Sequence, residues 1–347
     1  MLTTLIIIIA FSILVVFHEF GHFLIAKLLK VKVEKFALGF GPEWFGYNGK
    51  DTRYSINLFP LGGYVRMLGD EPGDKNAELP GSYLAQKWYR RALIVVFGPV
   101  TNFILAILLF TMIFMIGVPV PDTGVSRIGS VFENTPAYQA GLKEGDIVTG
   151  INGQPVKTWD DLTKIVQPNA DKMLALVVKR GDKEIQLQIK PQYDKERKIG
   201  ILGISASHKI ERSNPLQALG KGVTETYDWT EITVKAIWWM ITGKIAPEVS
   251  GPVGIAQMIG VAAKAGFASL VAFIAVLSIN LGVFNLFPIP ILDGGHILFL
   301  VIEAVRGKPV SLSKVEMAQK VGLALLIAIF IFATYKDIIR MIIPGPK

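Results

Sequence analysis

Cysteine is absent from the 347 residues, and charge is scarce, with Asp, Glu, Lys and Arg together making up 18%. Without thiols there are no disulfides and no thiolate metal sites, so a bound metal has only imidazole and carboxylate to hold it. A soluble globular chain carries about a quarter charged residues. The deficit here falls in a few long uncharged runs, and 51% of the residues are hydrophobic. That composition fits a multi-spanning membrane protein with a soluble insert. The net charge of +8 does not indicate nucleic acid. The basic residues crowd the ends of apolar runs, where they flank a bilayer, and no basic stripe interleaved with aromatics is present.

Four segments are apolar enough to span, which takes about 20 helical residues. They cover residues 2–29, 92–118, 267–292 and 321–343. The last is the weakest, because Lys336, Asp337 and Arg340 lie near its end. The first lacks a basic leader and a small-residue cleavage site, so it reads as a span rather than a signal peptide. Lys27, Lys30, Lys32, Lys35, Lys87, Arg90 and Arg91 lie between the first two spans. The positive-inside rule therefore places residues 29–91 in the cytoplasm, with the N-terminus and residues 119–266 outside.

His18-Glu19-Phe20-Gly21-His22 stands in the first run. Residues four apart share a helix face, so both imidazoles can reach one ion, and Glu19 beside them can take a proton from water. Zinc lowers the pKa of a bound water toward neutrality. Ionisable groups inside a bilayer are functional by default. Such a site needs a third ligand, and Asp293 is the acidic residue close to the third span. Spans one and three run in the same direction, so their cytoplasmic ends can meet. Pro288 and Pro290 stop the third helix and place Asp293 on extended chain, and Gly294 and Gly295 permit a tight turn. Asp293 as a helix cap and His296 as a rival ligand remain alternatives. Two His and one carboxylate also suit ferrous iron.

The outside stretch alternates strand and helix signals. Strands are expected at 125–132, 174–179 and 185–189, short helices at 136–142 and 160–166, and a hairpin turn at Asn152-Gly153. Trp229, Trp238 and Trp239 mark a helix expected at the membrane interface. Tyr54–Leu58 and Gly63–Met67 have strand character, so an exposed strand edge could hold an extended segment by main-chain bonds. Non-helical backbone at membrane depth requires cover by protein or water.

Residues 135–153 resemble the motif of a circularly permuted bacterial PDZ domain. HEFGH, Gly98-Pro99-Val100-Thr101-Asn102-Phe103, Ser250-Gly251-Pro252-Val253-Gly254-Ile255 and the run from Asn280 through Leu292-Asp293-Gly294 resemble the site-2 protease family, in its single-PDZ form. The resemblance covers almost the whole chain. It implies a polytopic α-helical membrane protein of about four spans, with a membrane-associated β-hairpin or sheet and one extracytoplasmic PDZ-like α/β domain. The expected parts are residues 1–118, 119–208 (PDZ-like), 209–265 (linker and interfacial helix) and 266–347. Zn2+ would be held by His18, His22 and Asp293, with Glu19 as general base. Asn285, and Phe40, Gly63 and Tyr64 of the re-entrant region, would touch substrate. Gly200 and Leu202 would form the loop that takes peptide C-termini. Transmembrane protein substrates of the anti-sigma-factor type, and signal-peptide remnants, would be cut in a bacterial inner membrane. A membrane-anchored PDZ adaptor and a metal or ion transporter are the competing readings.

Overall fold

The computed structural model describes residues 2–70, 73–195, 197–245 and 250–342. The elements run α1 (Leu2–Leu28), β1 (Val33–Asn48), β2 (Arg53–Met67), α2 (Trp88–Ile116), β3 (Val118–Pro121), β4 (Ile128–Val131), α3 (Pro136–Gln139), β5 (Ile147–Ile151) and β6 (Gln154–Pro155). They continue with α4 (Trp159–Val166), β7 (Leu174–Arg180), β8 (Lys183–Ile189), β9 (Gln192–Asp194), β10 (Ile199–Ile201), β11 (Ile204–Ala206) and β12 (His208–Glu211). The C-terminal part holds α5 (Pro215–Ile241), α6 (Pro252–Ala265), α7 (Phe267–Asn285), α8 (Asp293–Arg306) and α9 (Leu312–Ile342). The chain forms two compact units, one of Met1–Met115 with Ser213–Lys347, the other of Ile116–Arg212.

In the first unit α1, α2, α7 and α9 are the described helices long and apolar enough to cross a membrane. Their ends differ from the sequence expectation. The second helix begins four residues early, at Trp88, and gives way to strand at Val118. The third stops at Asn285, before the prolines, because Pro288 offers no N–H to the ladder and its ring opposes a helical predecessor. The fourth begins at Leu312, and its expected end at 343 lies outside the described residues. α1 and α2 touch at small residues: a Cβ on Gly21 would stand 2.1 Å from the Phe97 carbonyl oxygen. Close backbone approach of this kind is how helices associate where lipid removes the hydrophobic drive.

The chain between α1 and α2 folds into more than one hairpin. Phe36 pairs with Val65 on one side and with Tyr54 on the other, while Tyr47 also pairs with Tyr54 and Asn48 with Arg53. β1 and β2 each bend, near the positive-φ residues Gly39, Gly41 and Gly62, so the pairing order is 43–48, 53–57, 33–38, 63–67. The segments 54–58 and 63–67 therefore flank 33–38 rather than pair with each other. The side chains of Pro60 and Leu61 lie outside the described ones.

α5 buries Ala218, Gly222 and Thr226, a stripe at helical spacing. Gly222 faces the Ile107 carbonyl of α2, and Thr233 Oγ1 donates to Asn280 Oδ1 of α7 at 2.9 Å. Trp238 and Trp239 remain exposed. The N-cap of α6 is Gly251, which has no side chain to cap with, and Asp337 of α9 supplies the cap, Gly254 N–H donating to its Oδ2 at 2.7 Å. Asp337 is 3% exposed, so the acidic residue that weakened the fourth span in sequence faces protein. Gly251 and Gly254 are glycine for space, since a Cβ on either would stand 2.8 Å from an Asp337 carboxylate oxygen. Asp337→Ala is expected to remove about 1–2 kcal/mol of stability. An unchanged melting temperature of the purified protein would contradict the shared cap.

The second unit is a PDZ-like α/β domain. A sheet in the order β6-β5-β7-β8 is accompanied by the pairs β4·β11, β3·β12 and β9·β10. Ile128, Val148, Ile151, Leu162, Leu174 and Leu176 form its buried core. The first strand is shorter than expected, Ile128–Val131, and the first helix is the single turn Pro136–Gln139. α4 starts one residue early because Thr158 and Asp161 make a reciprocal capping box. Arg180 grips Asp146 through two bonds of 2.8 Å. Burial raises the Asp146 pKa, and the Arg180 fork with the Lys143 N–H outweighs it, leaving the carboxyl below its ordinary value.

Candidate active site

α1 carries His18 and His22 on one face, and α8 carries Asp293. His18 Nε2 lies 3.3 Å from His22 Nε2, and Asp293 Oδ2 is 3.1 Å from the first and 3.5 Å from the second. Among the described residues, these are the group of three potential ligands whose donor atoms lie within 4.8 Å of one another. Tetrahedral ligands about 2.0–2.1 Å from zinc stand roughly 3.3 Å from each other, so the triangle has the size of three corners of such a shell. Asp293 Oδ2 is buried and accepts no hydrogen bond. A buried carboxylate oxygen left open toward two imidazole nitrogens is what a cation would satisfy. Zinc therefore fits the donors present.

Asp293 reaches this place by a route the sequence did not reveal. It is the first residue of α8, not extended chain, and the cap position before it is Leu292, which makes no side-chain cap bond. Gly294 and Gly295 sit in that first helical turn at ordinary φ. A Cβ on them would fall 2.2 Å from the Phe287 carbonyl and 2.4 Å from the Ile289 carbonyl. Gly322 of α9 is bare for the same reason, since a Cβ there would overlap the Pro290 carbonyl oxygen. The proline loop is thus clamped by bare helix backbone. Ile291 within it holds φ at 123°, a strained value for a β-branched residue. Arg91 of α2 and Glu303 of α8 form an ion pair that ties α8 to α2. His296 stands in the wall of a cavity of about 800 Å3 with Tyr83, Arg91 and Glu303.

Glu19 has the Val65 backbone N–H, both imidazoles and Asp293 close enough to interact. The Cβ position of Gly63 is 3.4 Å from Glu19 Cγ. The 63–67 segment therefore passes directly beside Glu19. Phe40 and Tyr64 stack with ring centroids 6.3 Å apart, and Phe40 fills the space over Gly62. Asn285 ends α7, partly buried, just before the proline loop. In the PDZ-like unit a cavity of about 340 Å3 is lined by Phe132, Trp159, Leu162, Ile201 and Ile204. Gly200 lines it too, pressed against the Val166 carbonyl. The Leu202 side chain is core, 3% exposed, and its carbonyl accepts from Ala137 N–H at 3.0 Å.

α2 supplies residues that sequence reasoning did not assign a role. His22 Nδ1 is 2.9 Å from the Ile94 carbonyl, and His18 Nδ1 is 3.1 Å from the Asn102 side-chain amide. Thr101 Oγ1 donates to the Phe17 carbonyl at 2.7 Å, and Gly98 leaves room for both imidazoles. Thr101 and Asn102 were visible as polar residues in an uncharged run, which is itself a signal of function.

Residues 6–329 match the family model described as peptidase family M50. The chain belongs to that family. A Clostridium acetobutylicum protein with a zinc-metalloprotease name is 39% identical over 334 residues, 96% of each chain. The regulator of sigma-W protease RasP of Bacillus subtilis is 31% identical, covering 98% of this chain and 99% of its own. A PDZ domain from Listeria monocytogenes aligns with 25% of this chain and 90% of its own length at 30% identity, with a TM-score of 0.21. This M50 member is thus a zinc metalloendopeptidase of the site-2 type and a membrane protein.

Proposed function

We propose that this peptidase hydrolyses a peptide bond of a transmembrane substrate near the cytoplasmic leaflet, with zinc on His18, His22 and Asp293. The observation that carries the reading is the convergence of those three donors within 4.8 Å on two helices far apart in sequence, with Glu19 beside them. Zinc held there supplies positive charge that acidifies water and polarises the scissile carbonyl. Glu19 takes the proton of the attacking water as its oxygen bonds to the carbonyl carbon. The same carboxyl then delivers that proton to the departing amine as the C–N bond breaks, leaving a new carboxyl and a new amino terminus. A helical substrate hides its amides in its own hydrogen bonds, so it must unwind first. The 63–67 strand beside Glu19 offers main-chain groups to hold the unwound segment, with Phe40 and Tyr64 packing on its side chains and Asn285 bonding its backbone.

In this reading the N-terminus and PDZ-like unit are extracytoplasmic and the membrane is the bacterial cytoplasmic one. The substrates are membrane proteins of the anti-sigma-factor type and signal-peptide remnants. The apolar cavity beside α4 takes a peptide C-terminus, with the backbone around Gly200 meeting the carboxylate. Purified protein in liposomes with a single-span substrate tests the core of this. A zinc chelator is expected to lower cleavage more than about 100-fold and added zinc to restore it. Cleavage that persists after metal removal contradicts the reading.

A further inference from the structure

We propose that Asn102 positions His18 for zinc: its side-chain carbonyl accepts the Nδ1 proton and so fixes the tautomer whose Nε2 is free to bind the ion. This rests on His18 being a ligand. A neutral imidazole carries one proton, so a ring that ligates through Nε2 must be protonated at Nδ1 and needs an acceptor there. His22 meets that requirement through the main chain, because the Ile94 carbonyl 2.9 Å from its Nδ1 can only accept. His18 has no backbone carbonyl in that role. Its Nδ1 faces the side-chain amide of Asn102 at 3.1 Å, and Asn102 is 0% exposed.

The amide nitrogen occupies that position, while Asn102 Oδ1 is buried without a partner. A donor facing an Nδ1–H is repulsive, and a buried carbonyl oxygen with nothing to accept is destabilising. A half-turn of the amide exchanges the two atoms and places the oxygen on the imidazole N–H. The residue is well placed for this duty. Its own backbone carbonyl accepts from Ser278 Oγ of α7 at 2.8 Å, so Asn102 is pinned between α1 and α7. A primary amide in a lipid-embedded helix needs such a reason to be there. Acceptors behind ligating imidazoles typically account for 10–100-fold in metal affinity.

The test is zinc affinity, measured on the purified full-length protein by competition with a chromophoric chelator. Asn102→Leu keeps the branched outline and removes the acceptor, and zinc affinity is expected to fall about 10–100-fold. Asn102→Asp keeps an acceptor, and affinity is expected to stay within roughly threefold of the parent. A packing role predicts the reverse order, with leucine tolerated and a buried carboxylate harmful. Unchanged affinity in Asn102→Leu, or weaker binding in Asn102→Asp than in Asn102→Leu, overturns the proposal. If the leucine variant shows no cooperative melt, the aspartate variant decides alone, a tenfold loss or more counting against. His18→Ala serves as the reference. Zinc retained there means the ligand assignment itself is wrong, whereas zinc lost there but kept in Asn102→Leu removes only the positioning role.

Discussion

Glu19→Gln is expected to reduce turnover about 10²–10⁴-fold while zinc remains bound at the parent stoichiometry. The glutamine has the same shape and keeps an oxygen that can face the Val65 N–H beside Glu19. It also leaves His18, His22 and Asp293 untouched. What it cannot do is take a proton from water, so the loss isolates the base from the metal. The measurement is a rate on a single-span substrate together with zinc analysis of the same preparation. Undiminished cleavage would end the base assignment. Loss of zinc along with activity would mean that Glu19 shapes the metal site rather than the proton transfer.

Gly98→Ala is expected to damage the centre nearly as much, although Gly98 ligates nothing and carries no charge. An added Cβ would stand 2.3 Å from Cε1 and 2.4 Å from Nε2 of His22, and 3.0 Å from Cε1 of His18. The His22 ring cannot swing aside freely, because Nδ1 is held by the Ile94 carbonyl and Nε2 faces the other two donors. Either the ring moves by about an ångström or α2 separates from α1. A misplacement of that size costs roughly 10²-fold in rate. Zinc affinity and cleavage should fall together in Gly98→Ala. Gly220→Ala on α5, where a Cβ would meet nothing within 4 Å, should leave both unchanged. Full zinc occupancy and activity in Gly98→Ala would show that the helices are not packed as tightly as described.

The two expectations differ in where they could have been read. The role expected of Glu19 comes from HExxH alone: His18 and His22, at i and i+4, fall on one face of any α-helix with Glu19 beside them, and the long uncharged run around them is apolar enough to span a membrane. Gly98 lies in a motif, but a glycine in sequence does not say whether it supplies a turn, a positive φ or merely room. Gly294 and Gly295 show the difficulty directly. Two glycines in a row after the prolines suggest a tight turn, whereas they are helical residues left bare so that the proline loop can lie against them. The pairing of 33–38 with two segments of β2 was equally hidden, because strand propensity marks segments and is silent on their neighbours.

Residue order alone determined what depends on local hydrogen bonding and solvent. That covers the apolar spans, the face shared by His18 and His22, the capacity of Asp293 as a carboxylate after a proline stop, and the exclusion of thiolate chemistry. Tertiary structure decided what depends on distance across the chain. It brought Asp293 3.1 Å from His18, gave each histidine its partner on α2, set the 63–67 strand beside Glu19 and made Asp337 the cap of α6. The physical reason is that burial and periodicity leave a local trace in sequence. A contact between residues 18 and 102, or 254 and 337, has no period and is created only when helices meet.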